Sequence, residues 1–363
     1  MDTRIFYRYC QSLSKYYAVE LIACHPKKEV IKGITITPYP RYKNRVVRVL
    51  FSWLLLLPKA FRAKAALYHL HDPELIPLGL ILRLYGKKVI YDIHENIAED
   101  IFDKEWIRFK KVWYSLYNFF EKPALKRFHI ILAEDSYLKR YQARTKNCLV
   151  IHNFCDLPFF RPFITDTADR DPFKLFYIGI LLENRGILEI LEAMHLAKKK
   201  GYSYELHVVA ELYTQVSDAV VALPFFEEIK HQVIFYGRKK LEDGYQISKQ
   251  CGIGLCIIHP MSNSIESYPT KLFEYMAVGL PIVTSHFPLY KSVIEENKCG
   301  YTADPKNPDE ILESMLRISL SKDQNEMATN GRKAVEKKYN WQNEEPNLIK
   351  LYKNILSRES YYG

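Results

Sequence analysis

What most constrains this chain is a rhythm. Short apolar runs rich in Val, Ile, Leu and Tyr alternate with longer amphipathic stretches along nearly the whole sequence. Repeated β-α-β units of this kind predict doubly wound parallel sheets. In the first half the predicted strands are 19–24, 33–39, 66–70, 88–93, 130–133 and 148–152, with helices over 45–61, 77–85 and 105–126. In the second half they are 174–178, 204–209, 232–236, 253–258 and 282–285, with helices over 186–200, 241–250 and 308–320. A length of 363 residues favours two domains over one. The stretch 156–172, rich in Pro and Asp, reads as the linker between a domain over 1–155 and one over 173–340. Residues 341–363 form a closing helical stretch.

Residues 264–283 carry the most chemistry. Glu266 and Glu274 stand eight positions apart, with Pro269, Thr270 and Lys271 between them. Phe273-Glu274-Tyr275-Met276-Ala277, then Gly279-Leu280-Pro281-Ile282-Val283, follow as an apolar helical face and a strand. On one continuous helix the two carboxylates would sit about 12 Å apart on one face. Pro269 argues otherwise, because proline fits the first turn of a helix. Glu266 is therefore expected in the preceding loop and Glu274 about one turn into the helix. The helix N-terminus between them offers free amides and a positive dipole end, to which Lys271 adds a charge. Carboxylates that can hold sugar hydroxyls, beside donors that can hold phosphate, describe a nucleotide-sugar pocket. A bare pair of glutamates at this spacing is usually a solvated helix edge; the flanking string distinguishes this one.

That string resembles the donor-binding motif of family 4 glycosyltransferases, retaining enzymes of GT-B architecture. The resemblance covers nearly the whole chain and is strongest in the second half. It implies an α/β GT-B fold, two doubly wound Rossmann-like domains facing a central cleft. Tyr177-Ile178-Gly179 through Asn184-Arg185-Gly186 resembles the family's strand, glycine loop and Lys-Gly segment, with Arg185 in place of Lys. Arg suits a bidentate diphosphate contact. An Arg often found after the first glycine is replaced by Ile180-Leu181, and Lys271 is the expected substitute. Gly237 and Arg238 resemble the turn near the nucleotide base. The donor site implied is Gly179, Arg185, Gly186, Gly237, Arg238, Lys271, Leu272 and Glu274, with Glu274 on the ribose and Glu266 on the donor sugar. In the first half, His71-Asp72-Pro73-Glu74 and His94-Glu95 end predicted strands and resemble segments lining the cleft. The resemblance implies a catalytic role for His94 beside Glu266, and acceptor-side roles for His71, Asp72 and Glu95. It further implies no metal and no cofactor beyond the donor substrate, and no Asp-x-Asp pair stands at the C-terminal end of a predicted strand.

Charge adds a partner. Residues 1–150 hold 27 Lys+Arg against 14 Asp+Glu, and residues 151–363 hold 25 against 28. Segment 41–64 combines Arg41, Lys43, Arg45, Arg48, Lys59, Arg62 and Lys64 with Phe51, Trp53 and four consecutive leucines. Segment 104–127 combines seven cations, Lys104 among them, with Trp106, Phe109, Trp113, Tyr114, Tyr117, Phe119 and Phe120. Basic amphipathic helices with Trp and Leu read as membrane-surface elements. No recognition motif accompanies the charge, which argues against nucleic acid. Seven scattered cysteines without a Cys-x-x-Cys pair read as reduced, mostly buried thiols. The expectation is a cytoplasmic enzyme bound to the anionic inner membrane surface, acting on a glycan or lipid-linked acceptor in bacterial polysaccharide synthesis.

One departure bears on activity. In the family a strand and a glycine-rich turn precede the segment that Asp2-Thr3-Arg4-Ile5-Phe6 resembles, and that strand has no counterpart here. Either the native chain extends upstream or this is an inactive variant. A nucleotide-sugar epimerase of the same architecture and a two-lobed binding protein are the rival readings.

Overall fold

The computed structural model describes residues 2–40, 44–103, 107–145 and 147–357. Arg41, Lys43, Lys104 and Trp106, counted above among the basic segments, lie outside these residues. The chain divides into two compact units, one comprising residues 1–153 with 341–363, the other residues 154–340.

The second unit is a single six-stranded sheet. Its strands are β8 (Asp171–Ile178), β9 (Glu205–Val209), β10 (Val233–Phe235), β11 (Cys251–Cys256), β12 (Ile282–Ser285) and β13 (Gly300–Ala303). They lie in the order β10-β9-β8-β11-β12-β13, and every pairing is parallel. Strand β11 is buried along its whole length, as a parallel strand covered on both faces must be. The order reverses at β8 and β11, so the first and fourth strands of this unit are neighbours at its centre. Strand β13, short and led by Gly300, has too few apolar residues to stand out in the sequence.

Residues 156–172, expected as a linker, belong to this second unit. Phe154, Phe160 and Phe163 are buried in its core, where Phe160 meets Tyr245 edge-on at 4.9 Å. The prolines and aspartates mark turns, while the aromatics between them anchor the segment.

The first unit carries two separate sheets. Strands β1 (Glu20–Cys24), β2 (Glu29–Ile31) and β3 (Ile34–Tyr39) lie in the order β1-β3-β2. Strands β4 (Leu67–Leu70), β5 (Lys88–Ile93), β6 (His129–Leu132) and β7 (Cys148–Val150) form a parallel sheet in sequence order. Strand β2, absent from the sequence reading, pairs antiparallel with β3 across the Lys32-Gly33 turn. The helix Arg45–Ala63 starts where the Asn44 side chain accepts from the Val46 and Val47 amides at 2.8 and 3.3 Å. The long helix expected over 105–126 begins instead at Lys110 and runs to Arg127, with Ile97–Asp103 a separate helix before it. The closing helix Trp341–Ser357 packs within this unit, its Trp341 Nε1 donating to Ser12 Oγ at 3.0 Å. Among the described residues no helix is long and apolar enough to cross a membrane.

Candidate active site

In the second unit the expected donor residues gather at the carboxyl ends of β8 and β11. Ligands of doubly wound sheets bind at such a reversal point. Gly179 follows β8 with φ of +128°, and a Cβ there would lie 2.5 Å from Lys271 Cε. The glycine thus lets the lysine cross the strand end, and Lys271 Nζ sits 3.9 Å from the centre of the Tyr177 ring. Gly186 has φ of +68° and opens the helix Ile187–Lys199; a Cβ there would meet Ile257 Cγ2 at 2.4 Å. Arg185 precedes it in a short turn. Arg185 and Lys271 both act electrostatically on the Cys256 thiol at the end of β11, whose pKa burial nonetheless raises. Two cations and two helix N-termini therefore surround one strand-end region, an arrangement suited to a diphosphate.

Glu274 is buried, and Tyr245 Oη donates to its Oε2 at 2.7 Å. Burial, then the Glu274 charge, hold the Tyr245 hydroxyl well above its usual pKa, so it stays a donor. One carboxylate oxygen is thereby fixed in orientation. Tyr245 lies 29 positions from Glu274, and nothing in the sequence linked them.

Three expectations need correction. Glu266 is not in a loop: it is the last residue of a short helix, Ser262–Glu266, and is exposed. Pro269 is the residue before the next helix rather than part of its first turn, and Thr270–Val278 is that helix. An extended Ser267 and Pro269 separate the two helices, so the glutamates do not share one continuous helix. Leu272 is fully buried in the core, so its side chain does not line the site, and its amide bonds Pro269 O at 3.1 Å. Its place in an apolar helical face puts it inward. Gly237 follows β10 with φ of +68°, but the Arg238 side chain is 84% exposed and lies 3.9 Å from Glu211.

In the first unit the histidines form a network. Parallel pairing sets Leu70 opposite Tyr91, so the next residues, His71 and Asp92, are brought together. His94 lies two positions past Asp92 and shares its face of the strand. His94 Nε2 is 2.7 Å from Asp92 Oδ2, and His71 Nδ1 is 3.3 Å from the same oxygen and 3.3 Å from His94 Nε2. Arg4 closes the network from the other side. Its Nε and Nη2 donate to Asp92 Oδ2 and Oδ1 at 3.0 and 2.9 Å, and the pair is nearly solvent-free. Burial pushes the Asp92 pKa up, but Arg4 first, then His94 and the histidine hydrogen bonds, hold it well below the carboxylate range. Burial lowers the His71 pKa against the pull of Asp92. Asp72 and Glu95, expected on the acceptor side, are exposed.

The sequence reading missed Asp92 and Arg4. Asp92 could have been found, since it precedes His94 at strand alternation. Arg4, 88 positions away, had no local signal. His69, His71 and Asp92 place ligand-type atoms within 4.8 Å of one another. Arg4, however, engages both oxygens of Asp92, and a fixed guanidinium is a poor neighbour for a metal ion. None of the seven cysteines, all among the described residues, is in a disulfide; five are buried, Cys24 is exposed and Cys148 is half-buried.

Comparisons with known proteins bear on the fold and the family. Residues 164–334 match the family model described as Glycosyl transferases group 1. Among curated relatives, the chain is 25% identical over 159 residues to the amylovoran biosynthesis glycosyltransferase AmsK of Erwinia amylovora, covering 42% of this chain and 37% of that one. It is 21% identical over 188 residues to the capsular polysaccharide biosynthesis glycosyltransferase CapM of Staphylococcus aureus, covering 52% and 47%. The chain spans less than half the length of these relatives. Among solved structures, sucrose-phosphate synthase of Thermosynechococcus elongatus superposes with a TM-score of 0.74 at 17% identity, over 99% of this chain and 94% of that one. Anabaena HepE in complex with UDP and glucose superposes with a TM-score of 0.65 at 13% identity, over 97% and 94%. The chain thus has the GT-B fold, and its residues 164–334 are similar to the glycosyl transferases group 1 model.

Proposed function

We propose that this protein is a retaining glycosyltransferase. It moves a sugar from a nucleoside diphosphate donor to a lipid-linked glycan acceptor in bacterial surface polysaccharide synthesis. The observation that carries the reading is the junction of Gly179, Arg185, Lys271 and Glu274 at the strand-end reversal of the second unit. Relatives named for amylovoran and capsule synthesis support the polysaccharide role.

The chemistry follows from charge. As the sugar leaves, negative charge grows on the departing diphosphate. Arg185, Lys271 and the N-terminal amides of the helices Ile187–Lys199 and Thr270–Val278 meet that charge with fixed donors, usually the largest catalytic contribution. No metal is needed in this scheme. Glu274 takes the ribose hydroxyls through charge-assisted hydrogen bonds, with Tyr245 holding its other oxygen. Glu266 is assigned to the donor sugar and His94 to the reacting centre. Asp92 positions the His94 ring; Gly237 and Arg238 flank the base, and His71, Asp72 and Glu95 serve the acceptor side.

The membrane role has its own support. On Arg45–Ala63 the residues Val46, Val47, Leu50, Phe51, Leu54 and Leu55 are exposed at helical spacing. On Lys110–Arg127, and at Phe109 just before it, Phe109, Val112, Leu116 and Phe119 do the same. Exposed apolar stripes beside cations suit a cytoplasmic enzyme resting on an anionic leaflet.

The test is a thermal-shift screen with UDP, GDP, ADP, CMP and dTDP on the protein and on Glu274→Ala, followed by turnover with the matching nucleotide sugar. UDP comes first, since HepE was solved with it. A ligand at 100 times its dissociation constant adds about 2.7 kcal/mol. A shift lost in the variant, with product of unchanged anomeric configuration, supports the reading. A folded sample that responds to none of them overturns it.

A further inference from the structure

Arg185 and Lys271 are held ready for an anion. Among the described residues neither is in an ion pair, and Lys271 instead lies over the Tyr177 ring. For Arg185 this is unexpected, because a carboxylate is close in the chain. Glu189 comes four positions later, in the first turn of the helix Ile187–Lys199. A glutamate at the third position of a helix commonly turns back toward the helix entrance. There it would lie against the Arg185 turn and in the positive field of the entrance amides.

Glu189 does not turn back. Its Oε1 lies 3.0 Å from His259 Nε2, and the two side chains are half-buried together. Glu189 Oε2 is buried without a hydrogen-bond partner. A buried carboxylate oxygen left unmatched costs stability, so stability alone does not account for where Glu189 points.

His259 reaches Glu189 from the strand exit after β11. Its backbone amide donates to Asn184 O at 2.9 Å, and the Asn184 side-chain amide meets Met261 Sδ. Ile257 fills the space that a Cβ on Gly186 would need. The turn Glu183–Arg185 and Gly186 are thus seated on residues 257–261, with Arg185 between Asn184 and Gly186. The same short segment that seats the turn also carries the imidazole that meets Glu189.

We propose that His259 is a positioning residue for the donor diphosphate. It draws the Glu189 carboxylate off the helix entrance and so leaves Arg185 and the entrance amides open to phosphate. Without His259, Glu189 pairs with Arg185 and competes with the donor for the same cation. Neither His259 nor Glu189 touches the donor; both act through Arg185. This inference rests on the donor-site reading proposed above.

The test is calorimetric titration with UDP and, independently of the base, with inorganic pyrophosphate. The proteins are the unaltered chain, His259→Ala, His259→Ala with Glu189→Gln, and His259→Ala with Glu183→Gln. His259→Ala should lose about tenfold or more in affinity for both probes. Adding Glu189→Gln should restore most of that loss, because the competing charge is gone. Adding Glu183→Gln, which removes an exposed carboxylate equally near in the chain, should not. A merely structural role for His259 would lower Tm and would not be rescued by removing a charge. Unchanged affinity in a folded His259→Ala, or a loss that Glu189→Gln does not restore, overturns the proposal. An unaltered protein that binds neither probe overturns the donor-site reading itself, and this inference falls with it.

Discussion

The two units are built from the same β-α-β grammar, yet one sheet is continuous and the other is split. The six strands of the second unit pair without a break around β8 and β11, and its candidate site sits where two central strands end. The first unit divides between β1 and β4, and its chemistry is gathered at the ends of β4 and β5, beside the gap. What differs is how each site is held. In the second unit glycines and helix ends shape a site over a packed sheet. In the first, a buried ion pair between Arg4 and Asp92 ties the N-terminal helix to a strand it does not adjoin in sequence.

That contrast predicts where the molecule breaks. Asp92→Ala strands a buried guanidinium and should cost about 3–5 kcal/mol. In urea unfolding followed by hydrogen exchange, the first unit should open early while the amides of β8 and β11 keep their protection. Equal loss in both units would show that they do not differ in this way.

Glu274→Ala should act on the other side of the comparison. Losing a charge-assisted hydrogen bond to the nucleotide costs about 1.5–3 kcal/mol, or roughly tenfold to a hundredfold in affinity. Calorimetric titration with the responding nucleotide measures it, and exchange in the first unit should be unchanged.

A pH effect should follow from His69. Burial first, then the neighbouring His71, hold its pKa well below the usual histidine value. The unfolded chain therefore binds the extra proton as pH falls through about 6.5, and stability declines below that pH by at most about 1.4 kcal/mol per unit. His152 works in the opposite direction: burial lowers its pKa, but its hydrogen bond to Glu344 and the Glu344 and Asp135 charges raise it overall, adding stability that is lost as pH rises. Comparing the protein with His69→Gln at pH 7 and pH 6 isolates the first contribution. A parallel decline in both would remove His69 from the account.

The smallest effect is expected at Arg238. Its side chain is 84% exposed, so Arg238→Ala should shift stability by less than about 0.5 kcal/mol. A loss of nucleotide affinity in this variant beyond the Glu274→Ala effect would move the centre of the donor site toward β10.

Much of the fold was legible because parallel strands are written as short apolar blocks. The sequence reading placed 88–93 and 282–285 as strands, and the structure has Lys88–Ile93 and Ile282–Ser285. What escaped were elements whose stability comes from neighbours, such as β2, which exists through its pairing with β3, and β13, which lies beside β12. At the site, Gly179 and Gly186 were legible because close backbone approaches demand glycine. The inward turn of the Leu272 side chain was not legible, because spacing along a motif does not tell which side of a helix faces the core. Arg4 and Tyr245 were invisible because their partners are distant in sequence.

The division of the chain has a consequence for how it is made. The first unit includes Trp341, Leu348, Ile349, Tyr352 and Ile355, which share a buried cluster with Tyr9, Leu13, Ile90 and Ile131. The second unit, by contrast, is one uninterrupted segment, 154–340. On the ribosome the usual order of maturation, N-terminal part first, is therefore reversed. The segment translated in the middle has all its strands in hand while the segment translated first still waits for the last residues to emerge. Until then Tyr9, Leu13, Ile90 and Ile131 lack their covering helix, and a nascent chain stalled before Trp341 would present that apolar surface to chaperones.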